Sequence, residues 1–291
     1  MKKRSRNLAV SWLMPLGTLI QFMLPRWLVI RLARIIGSIA YRLSHHQRQR
    51  LIENYRHIFG PNTEPVLLDQ TAYRAFQNLV LFYADLLRVP VLKKRTALLG
   101  ELNLRHIEQV LKQNQGVILV TAHIGNWDLA GVFLGALGYR ISAVVEPIPG
   151  GWTKTFNRYR RVCEMETIPI PEHHRIARAL EKGRIVALVA DRDLTGHGIL
   201  CPAFDSRRSF PKGPAVYSIR HRVPIVVGYF VRQQKRNHPP YLGVIEPPIE
   251  FQPTDNMEAD IINLTRIIAE RLNYLIRCYP DQWLVFNAGW Q

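Results

Sequence analysis

From about residue 100 onward, short apolar segments alternate with segments whose apolar residues recur at helical spacing. Strands are predicted at 117–120, 141–145, 167–170, 185–190, 224–230 and 242–245. Helices are predicted at 104–113, 127–137, 153–164, 174–182 and 214–221, and a longer helix at 257–278 closes the chain. Strands that alternate with helices form a largely parallel sheet with covered faces. The pattern therefore predicts an α/β fold with a largely parallel, mixed sheet covered by helices.

The first 60 residues differ from the rest in charge. They hold eleven Lys and Arg but one acidic residue, Glu53, in a chain of 291 residues with net charge +17. Residues 8–24 carry no charge, and in residues 26–42 arginines and Leu/Ile side chains occupy neighbouring arcs of a helical wheel. A basic amphipathic helix with Trp27 at its start is typical of a membrane interface, although a core-packed helix with a solvated arginine face shows the same pattern.

We therefore predict a helical membrane-associating segment, 1–60, in one structural unit with an α/β domain, 61–291. A turn at 59–65 joins the two, and a long helix from about residue 65 to Leu87 follows, with Pro90 expected to end it.

The three cysteines are widely spaced, which argues against a disulfide framework, and no Cys/His cluster suggests a metal site. A chain this basic should meet an acidic partner, such as anionic lipid, an acidic protein or nucleic acid.

His123 lies in the stretch TAHIGNWDLAG, directly after an apolar strand. Open α/β sheets place their sites in such loops, at the carboxyl ends of strands. Gly125 allows a tight turn there, and Asn126 is a suitable N-cap for the next helix. His123 could be a general base whose ring Asp128 orients, or a strand-end histidine bonded to a capping aspartate. The His-x₄-Asp spacing alone does not decide, because chance gives about one such pair in this composition.

A second polar loop, ADRDLTG, follows the predicted strand 185–190. In a parallel sheet this loop and the His123 loop should open on the same edge. Asp191 and Asp193 beside Arg192 can form a structural ion-pair network or part of a site. Arg158 and Arg160 lie on the basic helix that comes next in the chain after Glu146. One arginine turned into the cleft could bind a phosphate or stabilise an oxyanion, whereas a solvated basic face is the simpler interpretation.

Four motifs in order, TAHIGNWDLAG, ADRDLTGHG, FPKGPA and YPDQWLVFNAGW, resemble the bacterial lipid A biosynthesis (late) acyltransferase family. That family belongs to the HX₄D/E glycerolipid acyltransferases. The HxGNWD and AERDLT-type motifs are those of its branch of phosphatidylinositol mannoside acyltransferases. The resemblance covers the chain from about residue 20 to its end. It is specific for the family and not for the substrate.

The resemblance implies transfer of a fatty acyl group from acyl-CoA or acyl carrier protein to a hydroxyl of a glycolipid or lipid A-like acceptor. The alcohol attacks the thioester directly, so no resident cofactor is implied. His123 matches the family's base and Asp128 its partner, while Asp191 stands where the mannoside enzyme carries a glutamate near the histidine. Arg160 matches an arginine in an R-x₃-G stretch, in which Glu164 stands at the glycine position.

Catalysis is thus assigned to His123, Asp128 and Asp191. Contacts with the substrate are expected from a wider set: Glu146, Arg158, Arg160, Arg192, Asp193 and Asn126. The expected location is the cytoplasmic face of the bacterial plasma membrane, as a peripheral or monotopic protein on anionic lipids. Two alternatives stay open, an acyl-thioester hydrolase on the same scaffold and a basic protein that binds nucleic acid. No GxSxG elbow or nucleic-acid motif supports either, and no nucleic-acid partner is expected.

Overall fold

The computed structural model describes residues 14–113, 116–146, 152–233 and 238–291, with the backbone only at 152, 154 and 155. Residues 8–13 of the apolar N-terminal segment lie outside these ranges. The helices are α1 (Met14–Met23), α2 (Arg26–Leu43), α3 (His45–Phe59), α4 (Pro65–Leu92), α5 (Arg105–Leu111), α6 (Trp127–Ala136), α7 (Trp152–Arg161), α8 (His173–Glu181), α9 (Gly213–His221) and α10 (Met257–Cys278). Short 3₁₀ helices cover Lys93–Leu99 and Pro280–Gln282.

The strands form a seven-stranded sheet and a separate hairpin. They are β1 (Gly100–Leu102), β2 (Val117–Thr121), β3 (Ile141–Val145), β4 (Glu166–Pro169), β5 (Ile185–Val189), β6 (Ile199–Ala203), β7 (Ser206–Phe210), β8 (Ile225–Arg232) and β9 (Tyr241–Ile245). The sheet order is β1-β9-β8-β2-β5-β3-β4, and β6 pairs with β7 in the antiparallel hairpin. β8 and β9 are antiparallel, and the other neighbours in the sheet are parallel. The predicted α/β class is confirmed.

Both faces of the sheet are buried because its central strands are apolar throughout. Ile118 and Val120 of β2 face a core formed with α3, α8, α9 and α10. Leu119 of the same strand faces the opposite core, formed with α6, α7 and the second half of α4. Side chains alternate between the two faces of a strand, so a continuous apolar run is what a doubly covered sheet requires.

Helix α2 packs on α4 through a stripe of residues four apart, Val29, Ala33, Gly37 and Tyr41. Gly37 allows close contact, since a Cβ atom there would lie 2.6 Å from the Cα atom of Gln77. A second apolar face of α2 stays uncovered: Trp27, Leu32, Ile35, Ile36, Ile39 and Leu43 are each at least 40% exposed. The core-packed interpretation of this helix therefore holds for one face, and membrane association of the other face stays a prediction. The division of the chain at residue 60 stays a prediction.

Three details of the chain differ from the sequence-based prediction. Helix α4 passes through Pro90 and ends at Leu92. Proline removes one backbone donor, and here the loss falls in the last turn, so the helix tolerates it. Helix α3 and the β6–β7 hairpin were not predicted, because their apolar spacing is weak. Strand β7, with the sequence SRRSF, reads as polar loop although Arg208 and Phe210 are buried.

One helical stretch in the described part of the chain, Pro65–Leu99, is long and apolar enough to cross a membrane. The criterion is only the length and the composition of the helix. The stretch begins with α4, which buries residues along its whole length, from Leu68 to Val89, against the rest of the protein. A core helix passes the same test, so this finding carries no argument for a membrane span.

Candidate active site

The predicted meeting of two loops at one sheet edge is observed. Strands β2 and β5 are parallel neighbours with Thr121 opposite Val189, so the chain leaves both strands in the same direction. The Nδ1 atom of His123 lies 2.7 Å from Oδ1 of Asp191. The backbone N–H of His123 also donates to Oδ2 of Asp191, at 3.1 Å. The sequence placed Asp128 against Nδ1 of His123; the structure corrects this, and Asp191 is the partner of the ring.

The carboxylate of Asp191 is fully buried, whereas the His123 side chain is 22% exposed. Burial alone would raise the pKa of Asp191. The neighbouring His123 and Arg208 and a 2.7 Å hydrogen bond from Nε1 of Trp283 outweigh burial and hold that pKa well below its usual range. Asp191 is therefore a buried anion with one oxygen bonded to the imidazole. The arrangement fixes the orientation of the ring and leaves its other nitrogen, Nε2, without a bond to Asp191.

The stretch between His123 and Asp128 is a tight turn clamped by two other segments. Gly125 has φ of +62°, and a Cβ atom there would lie 2.1 Å from the carbonyl oxygen of Phe230. Asn126 caps α6, since its side chain accepts from the N–H of Leu129 at 3.0 Å. The N-cap prediction is confirmed. Because Asn126 is completely buried, however, its predicted contact with substrate is replaced by a structural role.

Asp128 lies in the first turn of α6 and pairs with Arg160 of α7. Its Oδ1 atom is 2.8 Å from Nε and 2.7 Å from Nη2 of the guanidinium, and both side chains are nearly buried. Glu164, at the position of the family's glycine, has φ of +61°. The left-handed conformation that favours glycine is thus kept, and the alignment that matched Arg160 is supported by the backbone.

A cavity of about 680 Å³ opens beside His123, between the sheet, α4, α6 and α7. That volume is within the range of ligand pockets, roughly 300–1,000 Å³. Small residues at the sheet and at α6 leave the space: Ala130, Gly131, Ala143, Ala187 and Gly228. The rest of the wall is largely apolar. The cavity is also lined by the ionisable side chains of His123, Asp128, Glu146, Arg160 and Arg192.

Two predicted substrate contacts are not brought to this cavity. The carboxylate of Asp193 binds its own loop and strand β7, accepting from Gly198 N at 2.8 Å and Ser209 Oγ at 2.7 Å. These donors outweigh the opposing effect of burial and lower the pKa of Asp193 to about 2. Arg158 is exposed on α7, outside the residues that line the cavity. Within the described ranges, no group of three or more His, Cys, Asp or Glu residues could hold a metal ion.

The profile of the bacterial lipid A biosynthesis acyltransferases matches residues 1–291. The chain belongs to this family. Among its relatives, the phosphatidylinositol mannoside acyltransferase of Mycobacterium tuberculosis is 24% identical over 296 residues, which cover 97% of this chain and 89% of the relative. The protein of the same name from Mycolicibacterium smegmatis is 26% identical over 198 residues, 66% of this chain and 62% of the relative. The predicted family, its branch and the enzyme class are confirmed.

Two residues of this acyltransferase that contact Asp191 were not singled out from the sequence. Trp283 belongs to the YPDQWLVFNAGW motif, which supported the resemblance without being given a role. Arg208 lies in the strand that the sequence did not reveal. The one available signal was the motif itself, since a tryptophan in an apolar segment after the last predicted helix is usually well buried.

Proposed function

We propose that this acyltransferase moves a fatty acyl group from an acyl thioester to a hydroxyl of a glycolipid acceptor at the membrane surface. The observation that carries the proposal is the His123–Asp191 pair, whose histidine lines a large and mainly apolar cavity. A base beside an apolar slot suits a reaction in which a polar hydroxyl and a fatty chain must meet. The names of the mycobacterial relatives supply the acceptor class, and the family supplies the reaction class.

In the proposed reaction, His123 is the base. Its Nδ1–H donates to Asp191, which leaves Nε2 free to take the proton of the acceptor hydroxyl. As the proton leaves, the alcohol oxygen forms a bond with the thioester carbonyl carbon. The tetrahedral intermediate then collapses, the carbon–sulfur bond breaks, and the thiolate takes the proton from Nε2. The products are an ester and a free thiol, and His123 returns to its starting state without an acyl-enzyme.

The acyl chain would occupy the apolar cavity. Each CH₂ group transferred from water to such a wall contributes about 0.8 kcal/mol, so the chain supplies much of the binding energy. Met14 of α1 and Leu87 of α4 close one side of the cavity, and the side-chain hydroxyl of Thr18 lies 2.6 Å from that of Tyr159. Helices α1 and α4 and the loop of His123 therefore line the same cavity.

The charged groups around the cavity would hold the polar parts of the two substrates. Arg160 is fixed by Asp128, whereas Arg192 makes no salt bridge among the described residues. A cation placed at the cavity can stabilise the developing oxyanion or bind a phosphate of the donor. Glu146 is exposed at the cavity and can accept hydrogen bonds from sugar hydroxyls. We assign Arg192 to the oxyanion or phosphate and Glu146 to the acceptor.

The membrane surface of the protein would be the uncovered face of α1 and α2. Phe22 and Met23 at the end of α1 are each 72% exposed, and the apolar face of α2 continues from there. Arg31, Arg34 and Arg42 are exposed on the same helix. Apolar side chains flanked by arginines suit the headgroup region of an anionic bilayer. Because acyl thioesters are made in the cytoplasm, the cytoplasmic face of the plasma membrane is the proposed location.

The test measures both products of the reaction. The purified protein is mixed with palmitoyl-CoA or with acyl carrier protein that carries a palmitoyl group. Anionic vesicles that contain or lack a mannosylated phosphatidylinositol are then added. Free thiol is followed by absorbance, and lipid products are identified by mass spectrometry. We expect thiol release to depend on the acceptor and to match formation of acylated glycolipid. Thiol release that ignores the acceptor, with free fatty acid as product, would instead show a hydrolase and overturn the proposal.

A further inference from the structure

Arg208 on β7 is fully buried and makes no salt bridge with any described carboxylate. Its Nη2 atom donates to the backbone carbonyl of Asp191 at 2.5 Å, and its Nε atom donates to the carbonyl of Ala288 at 2.9 Å. The guanidinium lies over two indole rings, 4.9 Å from the centre of Trp283 and 5.0 Å from that of Trp290. Burying an arginine without a hydrogen-bonded carboxylate destabilises the fold, so packing alone does not explain why an arginine stands here.

The contacts of Arg208 converge on the residue that holds the base. Its partner Trp283 donates from Nε1 to Oδ2 of Asp191, at 2.7 Å, while the backbone N–H of His123 donates to the same oxygen. With two donors on Oδ2 and the carbonyl held by Arg208, only Oδ1 remains for the imidazole. The last residues of the chain thus determine which way the carboxylate points.

Arg208 also supplies charge. Burial, partly offset by Asp191, lowers the pKa of Arg208 to about 10, so the guanidinium stays protonated at neutral pH. A cation near Asp191 favours the ionised carboxylate, which is the form that accepts from Nδ1–H of His123. Arg208 thus keeps the carboxylate in the state that holds the ring.

We propose that Arg208 is a positioning residue for the His123–Asp191 pair: it fixes the backbone of Asp191 and, through Trp283, aims one carboxylate oxygen at Nδ1 of His123. The inference rests on the proposed role of His123 as the base. It gives the closing YPDQWLVFNAGW segment a function, since that segment provides the indole donor and the carbonyl of Ala288 that holds Arg208 in place.

The charge is tested with Arg208→Gln, which keeps a donor but removes the cation. Loss of the cation and of the bond to the Asp191 carbonyl weakens the hold on the carboxylate, so we expect the Nδ1–H proton resonance of His123 to move upfield. We also expect kcat to fall by about tenfold or more with little change in KM. Arg207→Gln is the matched control, because Arg207 is the exposed neighbour on the same strand and should leave the resonance and kcat unchanged.

The geometry is tested with Trp283→Phe, which keeps an aromatic ring under the guanidinium and removes the donor to Oδ2. Trp290→Phe is its control, since the indole N–H of Trp290 bonds to Asn54 instead. We expect Trp283→Phe to lower kcat at constant KM and Trp290→Phe to have a much smaller effect. If Arg208→Gln fails to fold, the Trp283→Phe comparison alone tests the proposal, and equal kcat values for the two tryptophan variants overturn it.

A proton NMR spectrum of the Nδ1–H group of His123 separates this inference from the proposed reaction, since it needs no substrate. The resonance, assigned with His123→Ala, should lie downfield in the wild type and move upfield in Arg208→Gln. An unchanged resonance, together with an unchanged kcat, overturns the positioning role. Absence of acyl transfer by the wild type would refute the proposed function and leave the NMR result intact.

Discussion

Replacing Asp191 by asparagine should leave the fold nearly unchanged and still abolish the base. Two donors point at Oδ2, the indole N–H of Trp283 at 2.7 Å and the backbone N–H of His123 at 3.1 Å. An asparagine must place its oxygen there, because its NH₂ group would otherwise face two N–H donors. The NH₂ group then faces Nδ1 of His123 and donates to it. The imidazole is forced into the Nε2–H tautomer, which cannot accept the proton of an alcohol.

The size of this effect follows from the role that is lost. General-base catalysis contributes typically 10²–10⁴-fold, and a wrong histidine tautomer costs about 10⁴-fold in a well-studied hydrolase. We therefore expect Asp191→Asn to lower kcat by about 10³- to 10⁴-fold, roughly 4–5.5 kcal/mol of transition-state stabilisation. KM should change little, because Asp191 is fully buried and does not reach the cavity.

The assay is acyl transfer to glycolipid in vesicles, with the tautomer read from ¹⁵N chemical shifts of labelled histidine. Asp191→Glu is the matched control, since it restores the charge and is the residue to which the resemblance points in the mannoside enzymes. The glutamate variant should retain far more activity than the asparagine variant. Wild-type turnover by Asp191→Asn, with His123 shown to be in the Nε2–H tautomer, would refute the reasoning.

Three further predictions concern stability, chain length and the membrane. Asp85→Ala leaves Arg232, only 12% exposed, without its carboxylate, so urea denaturation should show a loss of about 3–5 kcal/mol. Ala187→Leu adds three carbon atoms to the cavity wall, and a series of acyl-CoA donors should show at least about a tenfold lower kcat/KM for the longest chain while short chains react normally. Ile36→Glu should weaken vesicle flotation without lowering the melting temperature. Tyr274→Glu is the control, because Tyr274 is 65% exposed on α10 rather than on α1 or α2, and its replacement should leave flotation unchanged.

The sequence predicts the sheet well because its signals are local. Apolar runs located β2, β3 and β5, and a parallel sheet then required the loops after β2 and β5 to share one edge. The same argument predicts that the loops of His123 and Asp191 lie side by side. The hairpin was missed because β7 buries an arginine, and a polar strand does not show the alternation of apolar and polar residues that marks most exposed strands.

The partner of His123 shows where local reasoning fails. Asp128 is five residues away in the sequence, but the turn at Gly125 and the start of α6 direct its side chain to Arg160 on another helix. Asp191 is 68 residues away and becomes adjacent through strand pairing. Spacing along the chain predicts contacts within a helix, whereas contacts between loops depend on sheet order. That order could not be obtained from apolar patterning, which gives strands but not their neighbours.

The central claim is that His123 takes the proton of the acceptor hydroxyl. Its most direct test is a single measurement on His123→Ala, in which transfer of a labelled acyl group to glycolipid and flotation with anionic vesicles are recorded in the same sample. We expect transfer to fall at least about 10³-fold while flotation is unchanged, because the base is lost and the surface of α1 and α2 is intact. Near-normal transfer by His123→Ala would contradict it.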